Sequence, residues 1–198
     1  MWKRLAVLAC CLGLSAGCAT FTSAPEENKR TREQRVADHF AGEGPGIAAK
    51  ELLPSPPQLS YLMVDEDRTD DGRARSLWAT VPGQPILARC FYLDTEKAGD
   101  FVQGVAGCGG GPDQGRVVSL SGSANRKEAD LVGDVGAWPA SSVSISANGL
   151  EATVPVKNGY FLVPVRVTTT GARTYDVSLL DADAKVIGQA AGVKAPMS

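Results

Sequence analysis

The run Asp65-Glu66-Asp67-Arg68-Thr69-Asp70-Asp71-Gly72 is the densest group of oxygen ligands in the chain, and its spacing raises calcium chemistry. Asp67, Thr69, Asp71 and Gly72 fall where positions 1, 3, 5 and 6 of a calcium loop supply oxygens and a sharp turn, but Trp78 stands at position 12, where a bidentate Glu belongs. Arg68, Arg73 and Arg75 add positive charge that a cation site opposes. The stretch therefore reads first as a solvated hairpin loop, and no metal ligand is assigned. Asp65, Asp67, Asp94, Glu96 and Asp100 could meet as a general acid and base, although no spacing selects a pair. His39 is the sole histidine, so neither a Ser-His-Asp nor a Cys-His arrangement finds support and no catalytic residue is assigned. The glycine-rich stretch from Gly107 to Gly115 lacks the Gly-Lys-Ser/Thr of a phosphate loop and runs into strand-like Arg116-Val117-Val118, which makes it a loop. Trp138-Pro139 and Tyr92 could offer aromatic contacts to a carbohydrate or protein, with core or edge packing the plainer account. Nothing calls for a cofactor.

The start of the chain carries chemistry of another kind. Met1-Trp2-Lys3-Arg4 is basic, Leu5 to Leu14 is apolar, and Ser15-Ala16-Gly17 are small residues before Cys18, the layout of a secretory signal peptide over residues 1–17. The apolar run is shorter than the about 20 residues that cross a bilayer. Leu14-Ser15-Ala16-Gly17-Cys18 resembles the lipobox of bacterial lipoproteins, with Ser15 where the usual pattern has Leu and Leu14 one position further back. The resemblance implies cleavage before Cys18, a thioether-linked diacylglycerol on its sulfur, and anchoring of an exported protein to the bacterial cell membrane, the outer membrane in a Gram-negative cell. Acyl chains contribute about 0.8 kcal/mol per buried CH₂, so two or more chains hold without a protein span. Cys10 and Cys11 would then leave with the signal peptide. Cys90 and Cys108 remain, and in an oxidising compartment they are expected to form a disulfide worth about 3 kcal/mol on the chain-entropy model. A metal pair or a reactive thiol is the alternative, without a C-x-x-C to support it.

Processing would remove Lys3 and Arg4 from the 20 basic residues, leaving 18 against 22 acidic ones, so the formal charge moves from -2 to -4. A mildly acidic exported chain is a poor nucleic-acid binder, which needs a basic footprint. Residues 18–58 read as a lipidated N-terminus and flexible linker, since Ala24 to Arg35 is charged and nearly free of large apolar side chains. A tether of some 40 residues has a reach of roughly 35 Å. Within it Val36, His39 and Phe40 fall on one face of a short helix, and Ile47 to Leu53 could form another turn or two; both would need a docking surface.

Residues 59–198 change to short β-prone runs: Leu59 to Val64, Ser76 to Val81, Ile86 to Leu93, Phe101 to Ala106, Arg116 to Ser121 and Asp130 to Val135. Ser142 to Ser146, Ala152 to Val156, Tyr160 to Val167, Tyr175 to Leu180 and Lys185 to Ile187 follow. Asn148-Gly149 and Asn158-Gly159 predict two hairpin turns and an antiparallel meander, while Pro155 and Pro164 must sit at an edge, bulge or strand end. The expected class is mainly β, an antiparallel β-sandwich of which the immunoglobulin-like arrangement is one candidate, though no Trp stands between Cys90 and Cys108. The last sixty or so residues, through Val154-Pro155-Val156-Lys157-Asn158-Gly159-Tyr160-Phe161, are similar to small β-rich domains of uncharacterised exported proteins from high-GC Gram-positive bacteria, a likeness that transfers no site residue. Together these readings lead to the expectation of a non-catalytic binding or structural module of the envelope, with an envelope protein or glycan as partner. An envelope enzyme using convergent carboxylates and a calcium-dependent module are the alternatives.

Overall fold

Most of the β-prone runs pair, and they pair antiparallel. The computed structural model describes residues 19–22, 27–41, 60–81, 89–108, 112, 115–124 and 129–196. The signal segment, Cys18 and the expected helix at Ile47 to Leu53 lie outside the described residues, as do Leu59 and Ile86 to Ala88. Strands β1 (Ala19–Thr22), β2 (Tyr61–Arg68), β3 (Arg73–Thr80), β4 (Cys90–Lys97) and β5 (Asp100–Cys108) form one sheet in the order β1-β5-β4-β3-β2. Strands β6 (Ser119–Ala124), β7 (Ala129–Asp134) and β10 (Tyr160–Leu162) form a second, ordered β10-β7-β6. Strands β8 (Ser142–Ala147), β9 (Leu150–Pro155), β11 (Thr174–Leu180) and β12 (Val186–Lys194) form a third, ordered β12-β11-β8-β9. Helix α1 (Arg32–Phe40), the 3₁₀ turn Glu27–Lys29 and the single turn α2 (Val165–Thr168) complete the set among the described residues. No described helix is long and apolar enough to cross a membrane.

The three-stranded sheet is the middle layer. Val132, Tyr160 and Leu162 pack with Leu77, Phe91, Leu93 and Val105 of the five-stranded sheet. Their neighbours Leu131, Phe161 and Val163 pack with Val143, Ile145, Val177 and Leu179 of the four-stranded sheet. Side chains alternate across a strand, so a strand buried on both faces is apolar at successive positions, as Tyr160-Phe161-Leu162 is. Each such side chain contributes about 1.5–3 kcal/mol when fully buried. Gly133 lies opposite Phe161, and a Cβ there would come 1.9 Å from the Phe161 ring, so only glycine leaves the ring its seat.

Both Asn-Gly turns form as the residues require, with Asn148 and Asn158 at φ 48° and 49° and Gly149 and Gly159 at φ 80° and 78°. The expected meander divides between them and the centre of the fold. After the second turn β10 leaves the β8–β9 sheet and pairs with β7, because its three residues need cover on both faces. The expected strand from Tyr160 to Val167 ends at Leu162, and Pro164, which has no N–H for a ladder, becomes the N-cap of α2. Pro155 sits at the last position of edge strand β9. The hairpin at Ala98-Gly99, both at positive φ, extends β4 to Lys97, beyond what the sequence reading expected.

Part of the stretch expected as linker belongs to the fold. Strand β1 pairs with β5 from Ala19 opposite Ala106 to Thr22 opposite Gln103. Helix α1 lies on the outer face of the five-stranded sheet, with Val36 and Phe40 buried against Tyr92, Cys90, Ala106 and Trp78. The docking surface that a marginal helix needs is thus β4 and its neighbours.

Candidate functional site

Among the described residues two clusters of buried polar side chains are each built on a nearly inaccessible arginine. The first fastens α1. Thr31 caps the helix in a reciprocal box: its side chain accepts from the Gln34 N–H, and the Gln34 side chain accepts from the Thr31 N–H at 2.8 Å. One turn on, Arg35 donates from Nε and Nη2 to the two carboxylate oxygens of Asp94 at 2.8 and 2.9 Å, and from Nη2 to Glu96 at 2.5 Å. Its Nη1 donates to the Arg30 carbonyl at 2.7 Å, and the guanidinium lies 4.8 Å from the centre of the Phe101 ring. Burial opposes the Arg35 charge, but hydrogen bonds and charge from Asp94 and Glu96 outweigh it and hold its pKa above the ordinary value. Arg32 joins from the first turn, 2.6 Å from Glu96 and 3.4 Å from Asp94. A polar cleft of about 410 Å³ opens beside this cluster, lined by residues 28–33 together with Glu96 and Gly99.

His39 lies under the far end of α1. It is 2 % exposed, stacks on Tyr92 with ring centres 4.8 Å apart, and meets Phe40 edge-on at 4.9 Å. Neither ring nitrogen has a partner among the described residues, and burial lowers its pKa from 6.5 to about 4. An imidazole held this way is a neutral packing group in the folded chain.

The second cluster lies between the five-stranded and three-stranded sheets. Arg75 is fully buried and donates to Asp67 at 2.7 and 2.5 Å, to Asp130 at 3.2 Å, and to the carbonyls of Ala129 and Val163 at 3.4 and 2.9 Å. Asp67 also accepts from the backbone N–H of Val165, which starts α2, at 3.2 Å. Asp130 accepts from Thr95 at 3.3 Å and from Gln103. Burial disfavours the Arg75 charge, yet its two carboxylate partners keep its pKa raised.

These clusters settle where the acidic candidates go. Asp65 to Arg68 are strand residues of β2, and only Thr69 to Gly72 form the turn. Asp67 stands directly opposite Arg75 in the β2–β3 ladder and spends its carboxylate there. Asp71 is held by Thr69, Arg73 and Lys97, whose hydrogen bonds, that of Thr69 foremost, push its pKa well below the carboxylate range. Trp78 is in β3 and donates to Ser76 at 3.1 Å. Asp67 and Asp71 thus turn to different partners, and among the described residues no group of three or more His, Cys, Asp or Glu side chains is placed to hold a metal ion. Asp94 and Glu96 do converge, on Arg35 and Arg32 together, so two guanidinium charges match the two carboxylates and both are engaged in ion pairs. Asp65, whose pKa burial raises, accepts from the Glu66 N–H at 2.9 Å. Tyr92 is buried beneath His39, whereas Trp138 is exposed beside Gly188 of β12, so the two aromatics do not share a patch.

Cys90 and Cys108 stand opposite each other in the β4–β5 ladder and are joined by a disulfide, with Cα atoms 4.0 Å apart. Sequence reasoning passed over Arg35, Arg75 and Asp130. The signal available for Arg75 was Asp67 before the turn and Arg75 after it, which a hairpin can set opposite each other as a pair of unlike charges; for Arg35 and Asp130 there was none. No family model matches this chain, and neither a curated protein nor a solved structure is similar to it.

Proposed function

We propose that this chain is a lipid-anchored exported protein of the bacterial cell envelope, acting as a non-catalytic binding or structural module. The carrying observation is the use made of the five cysteines. Cys10 and Cys11 sit in the apolar run, Cys18 follows the small residues that precede a lipidation site, and Cys90 and Cys108 are bridged. The bridge suits an oxidising compartment, and Leu5 to Leu14 suits export to one. The carboxylates that converge are held by buried arginines, which supports a structural role for them.

The decisive experiment compares the full chain with Cys18→Ser in bacterial cells. Membrane partitioning of the unaltered chain, a lipid-modified N-terminal Cys18 in its mass spectrum, and accumulation of an uncut precursor for C18S are the expected results. Equal partitioning and equal size of the two chains would sink the reading. Cross-linking in intact envelopes followed by mass spectrometry then identifies the protein or glycan that the module touches.

A further inference from the structure

The two edges of the four-stranded sheet are built differently. Strand β9 is six residues long, carries Glu151 and ends in Pro155, features that discourage another strand from adding there. Strand β12 is nine residues long and has no proline and, from Val186 to Val193, no charged side chain. Among the described residues nothing pairs with its outer side. An edge of that length and composition is a template for a further strand.

Apolar side chains stand beside this edge on both faces of the sheet. Val186 is 53 % exposed and lies opposite Leu180, which alternation with the buried Leu179 puts on the outer face. Trp138 is 40 % exposed and lies on the inner face against Gly188, where a Cβ would come 3.4 Å from its ring. These are two of the five large apolar side chains left exposed among the described residues.

The edge is also complementary to itself. Gly188, Gln189 and Ala190 pair in unbroken register with Leu179, Ser178 and Val177, and β12 carries an extra residue on each side of that run, at Ile187 and at Ala191-Gly192. Bulges ordinarily blunt an edge by twisting it away from a regular partner. Here they are symmetric about Gln189. In an antiparallel pair of β12 strands related by a two-fold axis at Gln189, Ala190 faces the second copy's Gly188 and each bulge meets the other, so neither strand slips out of register. Lys194 of each copy then comes to the other's turn, where Asp181 and Asp183 outnumber Lys185.

We propose that β12 is the contact between two copies of this chain, which pair edge to edge about Gln189 into one sheet running through both. A two-fold contact closes on itself and leaves this edge covered in both copies. Trp138 is the anchor on the inner face, set to close over the second copy's small Ala190. Pairing of this kind needs no lipid on Cys18.

Cross-linking with a short bismaleimide tests it on the purified full chain in detergent. Gln189→Cys puts two thiols on the axis and should give a dimer whose cross-linked peptide joins position 189 to position 189. Thr153→Cys, exposed at the far end of the same row of side chains on β9, should give no such link at its own position. In sedimentation, Gln189→Lys and Gln189→Glu should each weaken self-association about tenfold or more, and mixing the two should restore the dimer. The Gln189 side chain is exposed, so both variants should keep the unfolding midpoint of the unaltered chain. An unaltered chain that stays monomeric at about 100 µM, or equal links at positions 153 and 189, overturns the pairing.

Discussion

Arg75 and Arg35 make the same bond in two different places. Each guanidinium bridges two carboxylates and reaches backbone carbonyls, and each is nearly inaccessible to solvent. Arg75 bolts two sheets together through β2, β3, β7 and the start of α2, so its partners come from elements far apart in the chain. Arg35 holds one short helix to the outside of one sheet. The chemistry is alike, and the consequence differs with the number of elements that must separate when it breaks. Loss of the inner bolt should unfold the body, and loss of the outer one should free the strap formed by β1 and α1.

The largest expected effect comes from Arg75→Met. Leaving Asp130 buried without its cation should cost about 3–5 kcal/mol, seen as a lower midpoint of urea unfolding in every probe at once. Adding Asp130→Leu should recover part of that loss, since an apolar pair replaces an ion pair at little cost. No recovery would mean that Arg75 acts through its carbonyl contacts instead.

Next comes Arg35→Gln, expected to cost about 2–3 kcal/mol through charge-assisted hydrogen bonds. The distinguishing result is locality. Amide exchange should quicken in residues 32–40, while β7 and β11 keep their protection. Equal quickening everywhere would erase the contrast between the two arginines.

The smallest effect is set by pH. His39 is neutral in the docked helix with a pKa near 4, and takes up a proton at about 6.5 once released. Its contribution is therefore complete above pH 6.5 and declines as pH falls toward 4, because the released form binds the proton first. At pH 5.5 the strap should be weaker by about 1.4 kcal/mol, one pKa unit's worth. In His39→Phe this slope should flatten, with Phe on Tyr92 keeping the aromatic stack. A slope unchanged by that substitution would assign the acid response to other groups.

The local layer of the fold was legible. Turns announced by Asn-Gly formed where the residues place them, because a type I′ turn needs two positive φ values that Asn and Gly supply, and most β-prone runs became strands, although Tyr160 to Val167 stops at Leu162 and the run from Arg116 becomes a strand only at Ser119. The face formed by Val36, His39 and Phe40 was legible too, since helical spacing repeats within one turn. The strap around it was not. Ala19 to Thr22 has no apolar pattern of its own and pairs because β5 offers an open edge, a property of residues some 80 positions away. The acidic run misled for a related reason: Asp67 looks like a loop ligand until the register sets Arg75 opposite it and the middle sheet covers both.

By itself the sequence determined the local chemistry: a mainly β chain, the two Asn-Gly hairpins, an apolar run and small residues before Cys18, and a pair of cysteines available to each other. Each of these depends on residues adjacent or nearly adjacent in the chain. Only the tertiary structure decided which sheet is central, which carboxylates the two buried arginines hold, and that Ala19 to Thr22 pairs with β5. Those outcomes rest on contacts between distant segments, where burial strengthens a charge pair and penalises a bare charge, and no spacing along the chain records which segments will meet.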